Sequence, residues 1–137
     1  VGKAYLIHSV DSVHLLDRID RIAGTMGVVQ PVLLQVNVSG EQSKHGMAPD
    51  EAAEALHHAL ELGSVDVRGL MTMAPLGRPE SARWVFRDLR DLFESLAAMR
   101  FNGLEMSELS MGMTGDFEVA VEEGATIVRV GRAIFGR

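Results

Sequence analysis

At 137 residues with no cysteine and a net charge of -6, the chain can bury one hydrophobic core but not two ordinary ones, so it reads as a single domain or part of one. Apolar residues make up 47% of it in short runs, far from the roughly 18 consecutive apolar residues of a membrane span, and no leader-like segment opens it, so a cytoplasmic location is expected. The acidic balance argues against a nucleic-acid or anionic-membrane surface, and the lack of cysteine removes disulfides and thiolate metal sites together.

Tyr5-Leu6-Ile7-His8 predicts a first strand, and Ser9 to Ser12 offers side-chain oxygens to the free amides of a helix start. The helix runs over Val13–Met26, with Leu15, Leu16, Ile19, Ile22, Ala23 and Met26 at three- and four-residue spacing and Gly27 at its stop. Val32 to Asn37 is the short, branched, nearly all-apolar run of a parallel strand covered on both faces. A polar loop from Ser39 to Gly46 follows. Pro49 then opens a second helix to about Leu62, with Ala52, Ala53, Leu56 and Leu60 as its apolar face.

The third strand spans Val67–Met73. A third helix covers about Glu80 to Ala98 and buries Trp84, Phe86, Leu89, Leu92, Phe93 and Leu96. A strand at Glu108–Met111, a glycine-rich turn, a short helix from Phe117 to Glu123 and a strand at Thr126–Val130 complete the pattern. Five strands alternating with helices indicate βαβ units and a parallel sheet. Periodicity does not separate an open doubly wound sheet from a barrel.

In either architecture, ligands bind at the carboxyl ends of the strands. Ser110-Met111-Gly112-Met113-Thr114-Gly115-Asp116 suits a phosphate at a helix N-terminus, because its glycines let backbone amides approach an anion. The bland alternative is a tight turn with Asp116 as helix N-cap. Arg129, inside an apolar run and followed by Gly131, needs either a ligand or an internal partner such as Glu108, Glu118 or Glu122. His8 reads as a packed, hydrogen-bonded residue, with a ligand or acid/base role as the alternative. His14, His45, His57 and His58 lack metal-ligand spacing, and no metal site is expected. Met71, Met73, Met111 and Met113 fill core space or line a planar ligand. Of the two lysines, Lys3 and Lys44, Lys44 lies in a polar loop where nothing would desolvate its amine.

Taken in order, Ile7-His8-Ser9-Val10-Asp11-Ser12, Leu34-Gln35-Val36-Asn37 with Gly40 to Gly46, Arg68-Gly69-Leu70-Met71-Thr72-Met73-Ala74-Pro75, Leu109 to Phe117, and Glu123 to Gly131 with Ile134-Phe135-Gly136 closely resemble successive motifs of the pyridoxal phosphate homeostasis family. That family is similar to the N-terminal barrel of alanine racemase, a fold-type III protein of pyridoxal 5'-phosphate (PLP). The resemblance implies a parallel (β/α)8 TIM-type barrel, present as a portion corresponding to about strands four to eight. Residues 1–137 would form one partial PLP-binding domain without the lysine of the first strand that holds the cofactor covalently.

Carried over residue by residue, the resemblance implies that Ser110, Met111, Gly112, Thr114 and Gly131 bind the PLP phosphate through hydroxyls and backbone amides, and that Arg129 lies near the pyridine nitrogen. It further implies a non-enzymatic carrier and buffer of PLP that supplies apo-enzymes, from a parent that is a monomer or weak dimer. A fold-type III enzyme such as an amino-acid racemase, or a chain without activity of its own, is the alternative.

Overall fold

The computed structural model describes residues 6–40, 46–75, 77–99 and 105–129. Its elements alternate as read from the sequence: β1 (Ile7–Val10), α1 (Val13–Met26), β2 (Gln30–Gln35), α2 (Pro49–Ala59), β3 (Val65–Met71), a 3-10 turn (Pro79–Ala82) running into α3 (Arg83–Ala98), β4 (Glu108–Met113), α4 (Phe117–Glu122) and β5 (Ile127–Arg129). Among the described residues no helix is long and apolar enough to cross a membrane.

The helix ends are built as the residue types require. Ser12 caps α1, its Oγ accepting from the Leu15 amide at 3.0 Å, and Gly27 closes the helix at φ 69°, a left-handed conformation that costs glycine little. Pro49 starts α2 with Asp50 and Glu51 in the first turn, where their charge complements the helix dipole. The apolar stripes are narrower than periodicity suggests. Leu16, Ile19 and Ala23 are buried while Ile22 and Met26 are exposed, and in α3 Val85, Phe86, Leu89 and Leu96 are buried while Trp84 is 47% exposed. Trp84 therefore corrects the expected stripe: a helix on a sheet hides only the arc that touches the strands.

All neighbouring strands are parallel, and their order is β1-β2-β3-β4-β5. Strand order that follows the chain without reversal is barrel-like, whereas a doubly wound sheet reverses at a switch point. Curvature confirms it. His8 on β1 lies 3.0 Å from Ser110 on β4, although strands three apart in a flat sheet stand roughly 14 Å apart at ~4.8 Å per strand. The sheet is thus a five-stranded portion of a parallel barrel, with helices on its convex face.

The core lies between that convex face and the helices, and it includes Val32, Leu34, Val65, Val67, Leu70, Leu109 and Met111. Pairing of Gln35 with Met71 and of Met71 with Ser110 sets these three residues in one row, and in-register neighbours of a parallel sheet share a face. Contact between Ser110 and His8 identifies that face as the concave one.

A bulge interrupts β3, where Val32 pairs with Val67 but Leu33 pairs with Gly69. A Cβ at Gly69 would sit 1.7 Å from the Glu108 carbonyl oxygen, so only glycine permits β4 this close.

Candidate functional site

The carboxyl ends of β4 and β5 carry the chemistry anticipated there. At the end of β4, Gly112 has φ 102°, and a Cβ on it would lie 2.6 Å from the Ala120 Cβ. Glycine is required twice over, by conformation and by the close approach of α4. The turn beyond it is closed by Asp116, whose Oδ1 accepts from the Met113 amide at 2.7 Å while its own amide donates to the Met113 carbonyl at 3.1 Å. Asp116 occupies the N-cap position of α4 without a side-chain capping bond. The capping alternative is therefore corrected: the carboxylate fastens the turn instead of the helix.

Ser110 is fully buried with its Oγ 3.0 Å from Nδ1 of His8. Met111 is also fully buried, but its side chain belongs to the helix-facing core, so only its backbone can serve a ligand on the concave side. Thr114 is partly exposed and lines a cavity of about 180 Å³ with Pro79, Asp116 and Phe117. Gly131, the remaining anticipated position, lies outside the described residues, as do Lys3 and Lys44.

Arg129 donates through one guanidinium NH2 to the Thr72 carbonyl at 2.9 Å, linking β5 to the end of β3. Its Nε is buried and has no hydrogen-bond partner among the described residues. The anticipated salt bridge is not formed there. Glu108 accepts from Thr126 Oγ1 and Glu122 pairs with Arg83. Burial pushes the Arg129 pKa down, with the Asp116 carboxylate opposing the shift; a cation held in this way favours an acceptor that can reach it.

Hydrogen bonds connect these pieces. The Thr72 amide donates to the Ser110 carbonyl at 3.1 Å, and Thr72 Oγ1 donates to the Val36 carbonyl at 2.7 Å, so β2, β3, β4 and β5 are tied at one level. Burial, then the nearby Arg129 charge, lowers the His8 pKa and keeps its imidazole neutral near pH 7. The roles of Thr72 and of His8 were not legible in the sequence, since neither a backbone acceptor nor a contact across the barrel has a local signature. A larger cavity, about 510 Å³, opens towards the amino ends and is lined by Leu6, His8, Arg68, Glu108, Thr126 and Ile127. His8 borders both regions. Among the described residues no cluster of three or more His, Asp or Glu could hold a metal ion.

The whole chain, residues 1–137, matches the family described as alanine racemase, N-terminal domain. The pyridoxal phosphate homeostasis protein of Aquifex aeolicus is 48% identical over 137 residues, which are 99% of this chain and 59% of that protein. The human protein of the same name is 36% identical over 141 residues, covering 99% of this chain and 51% of its own length. PipY of Synechococcus elongatus PCC7942, solved with PLP bound, superposes with a TM-score of 0.84 at 38% identity, covering 95% of this chain and 60% of PipY. At 15% identity, diaminopimelate decarboxylase from Helicobacter pylori, with a TM-score of 0.72, shows a shared fold alone. The chain thus spans little more than half the length of the curated relatives it matches.

Proposed function

The chain belongs to the alanine racemase N-terminal domain family, and on that premise we propose that it binds PLP by phosphate and ring nitrogen as part of a protein of PLP homeostasis. Its five strands would be strands four to eight of the barrel, and the same correspondence would put the β4–α4 turn at the phosphate. Relatives named as homeostasis proteins support this reading, as does the PLP-bound PipY at the same fold.

The observation that carries it is the buried Arg129 Nε, which has no partner among the described residues. A buried donor left unpaired costs about 1–3 kcal/mol, and a ligand acceptor at that position would recover it. An unprotonated pyridine nitrogen is such an acceptor. The anion end fits as well, because Ser110 offers a buried hydroxyl and Gly112 removes the Cβ that would stand between β4 and α4.

When bound, PLP supplies an aldehyde that captures amines and a ring that withdraws electrons. Arg129, a fixed cation, disfavours a second positive charge on the ring nitrogen and so holds the proton off it. Ser110, Gly112 and Thr114, with amides around Gly131, would bind and orient the phosphate, while Asp116 keeps the turn in shape through the Met113 amide. Such a site suits storage and hand-over of the cofactor to apo-enzymes better than carbanion chemistry, which requires a strong electron sink. Its two lysines are Lys3 and Lys44, and the polar sequence around Lys44 offers nothing to lower the pKa of its amine, so the chain would hold PLP without a covalent bond.

The test is a PLP titration of the purified chain, followed by absorbance and by mass after borohydride reduction. Saturable binding with no added mass is expected. Absence of saturable binding refutes the site, and a reducible adduct on Lys44 or Lys3 refutes the non-covalent mode.

A further inference from the structure

Ser110 carries a second implication, which rests on the reading of its hydroxyl as a phosphate ligand. The residue is fully buried, and the partner of its Oγ among the described residues is Nδ1 of His8, at 3.0 Å and from the far side of the sheet. A serine hydroxyl has one hydrogen to donate, and a neutral imidazole has one N–H shared between two positions.

These facts leave two arrangements. With the imidazole hydrogen on Nε2, Ser110 must donate to Nδ1, and towards a ligand it offers only lone pairs. A phosphate oxygen is an acceptor and gains nothing from them. With the hydrogen on Nδ1, His8 donates to Ser110 Oγ and the serine hydrogen is released towards the anion. We propose that His8 is a positioning residue for the anion site: its Nδ1–H fixes the Ser110 hydroxyl as a donor to the phosphate of bound PLP.

Three further observations favour the role. Burial and the Arg129 charge keep His8 neutral, so the choice between its nitrogens is exclusive. A protonated ring would donate from both nitrogens and remove that choice. His8 also sits where the β1–β2 register shifts, between Ile7 and Val10, an irregularity of the kind that re-aims a side chain. Finally, His8 needs no charge of its own to serve the anion, since the Arg129 guanidinium is near enough to be felt at its ring.

The experiment compares PLP with pyridoxal, which lacks the phosphate, on the chain and on His8→Leu, His8→Asn and Ser110→Ala. Misorienting one donor to a charged oxygen should weaken PLP about tenfold. The expected pattern is that His8→Leu loses this factor for PLP but not for pyridoxal, His8→Asn restores most of it through its amide N–H, and His8→Leu adds nothing to Ser110→Ala. Nitrogen-15 NMR of the unmutated chain saturated with PLP should show the hydrogen on Nδ1.

If His8→Leu binds PLP as tightly as the parent chain, or weakens pyridoxal equally, the positioning role is overturned while the PLP site stands. The Nε2–H form in the PLP-saturated chain overturns it too, and that measurement holds even where His8→Leu fails to fold. If the parent chain binds no PLP, the site reading fails and this inference falls with it.

Discussion

Replacing Arg129 by methionine is predicted to split stability from binding. Among the described residues the guanidinium of the parent chain makes one hydrogen bond, to the Thr72 carbonyl at 2.9 Å, and leaves one buried donor unpaired. Methionine forfeits a charge-assisted bond of ~1.5–3 kcal/mol and removes an unsatisfied donor that costs ~1–3 kcal/mol. The two nearly cancel, and a flexible thioether of similar length fills the space. Unfolding free energy should therefore stay within about 1 kcal/mol of the parent, as is common when a buried charge gives way to an apolar side chain. PLP affinity should fall about 10- to 100-fold, the equivalent of one hydrogen bond to a charged group. Urea unfolding followed by Trp84 fluorescence gives the first quantity and a PLP titration the second. A loss of 3 kcal/mol or more in stability, with affinity tracking only the folded fraction, would show that Arg129 is a structural residue and refute the argument.

Gly69→Ala should destabilise by about 3 kcal/mol or more, since a Cβ 1.7 Å from the Glu108 oxygen forces apart three consecutive β3–β4 residue pairs at ~1 kcal/mol per lost bond; Gly63→Ala, with nothing within 4 Å of its Cβ, is the control and should leave the urea midpoint nearly unchanged. Arg83 bonds to Glu80, Glu122 and Glu123, tying α3 to α4, so Arg83→Ala should lower the melting temperature at low salt, and the difference should shrink at 1 M salt as the exposed charges are screened. Because burial and Arg129 depress the His8 pKa below 6.5, the unfolded chain binds more protons than the folded one between that depressed value and 6.5. Stability should rise with pH across this window and fall as the solution is acidified through it. His8→Asn should flatten that part of the curve of urea midpoint against pH.

The elements were legible where a local rule determines them. Pro49 and Gly27 mark helix ends through their own backbone preferences, and α1 has the limits expected from its spacing. Sheet order was not legible, because runs such as Val32 to Asn37 look the same in a barrel and in a doubly wound sheet; the unreversed order β1 to β5 decides it. The polar partners escaped for a related reason. Arg129 was recognisable as a buried cation needing a partner, yet the partner is a backbone carbonyl 57 residues away, which no spacing of side chains encodes. Asp116 was placed correctly in sequence and wrongly in role, because a carboxylate at a helix start is equally able to bond backwards into its own turn. Trp84 shows that spacing fixes a face but not how wide an arc the sheet covers.

The site itself depends on departures from regular strands. The register slips by one residue in three places: between Ile7 and Val10 on β1, between Val67 and Gly69 on β3, and between Ser110 and Met113 on β4. Each slip exchanges the faces of the residues that follow it, since side chains alternate with a period of two. On β3 the change is visible in the core, where Val65 and Val67 give way to Leu70; that shift turns Met71 to the concave row with Gln35 and Ser110. On β4 the slip falls at Gly112, and the strand bends into the turn that Asp116 fastens. Two of the slips require glycine, at Gly69 for close approach and at Gly112 for φ as well. The recognisable motifs around Arg68-Gly69 and Met111-Gly112 are therefore the sequence imprint of backbone irregularity. Ser110 meets His8 just before the slip on β4, and Thr72 presents its carbonyl to Arg129 just beyond the slip on β3.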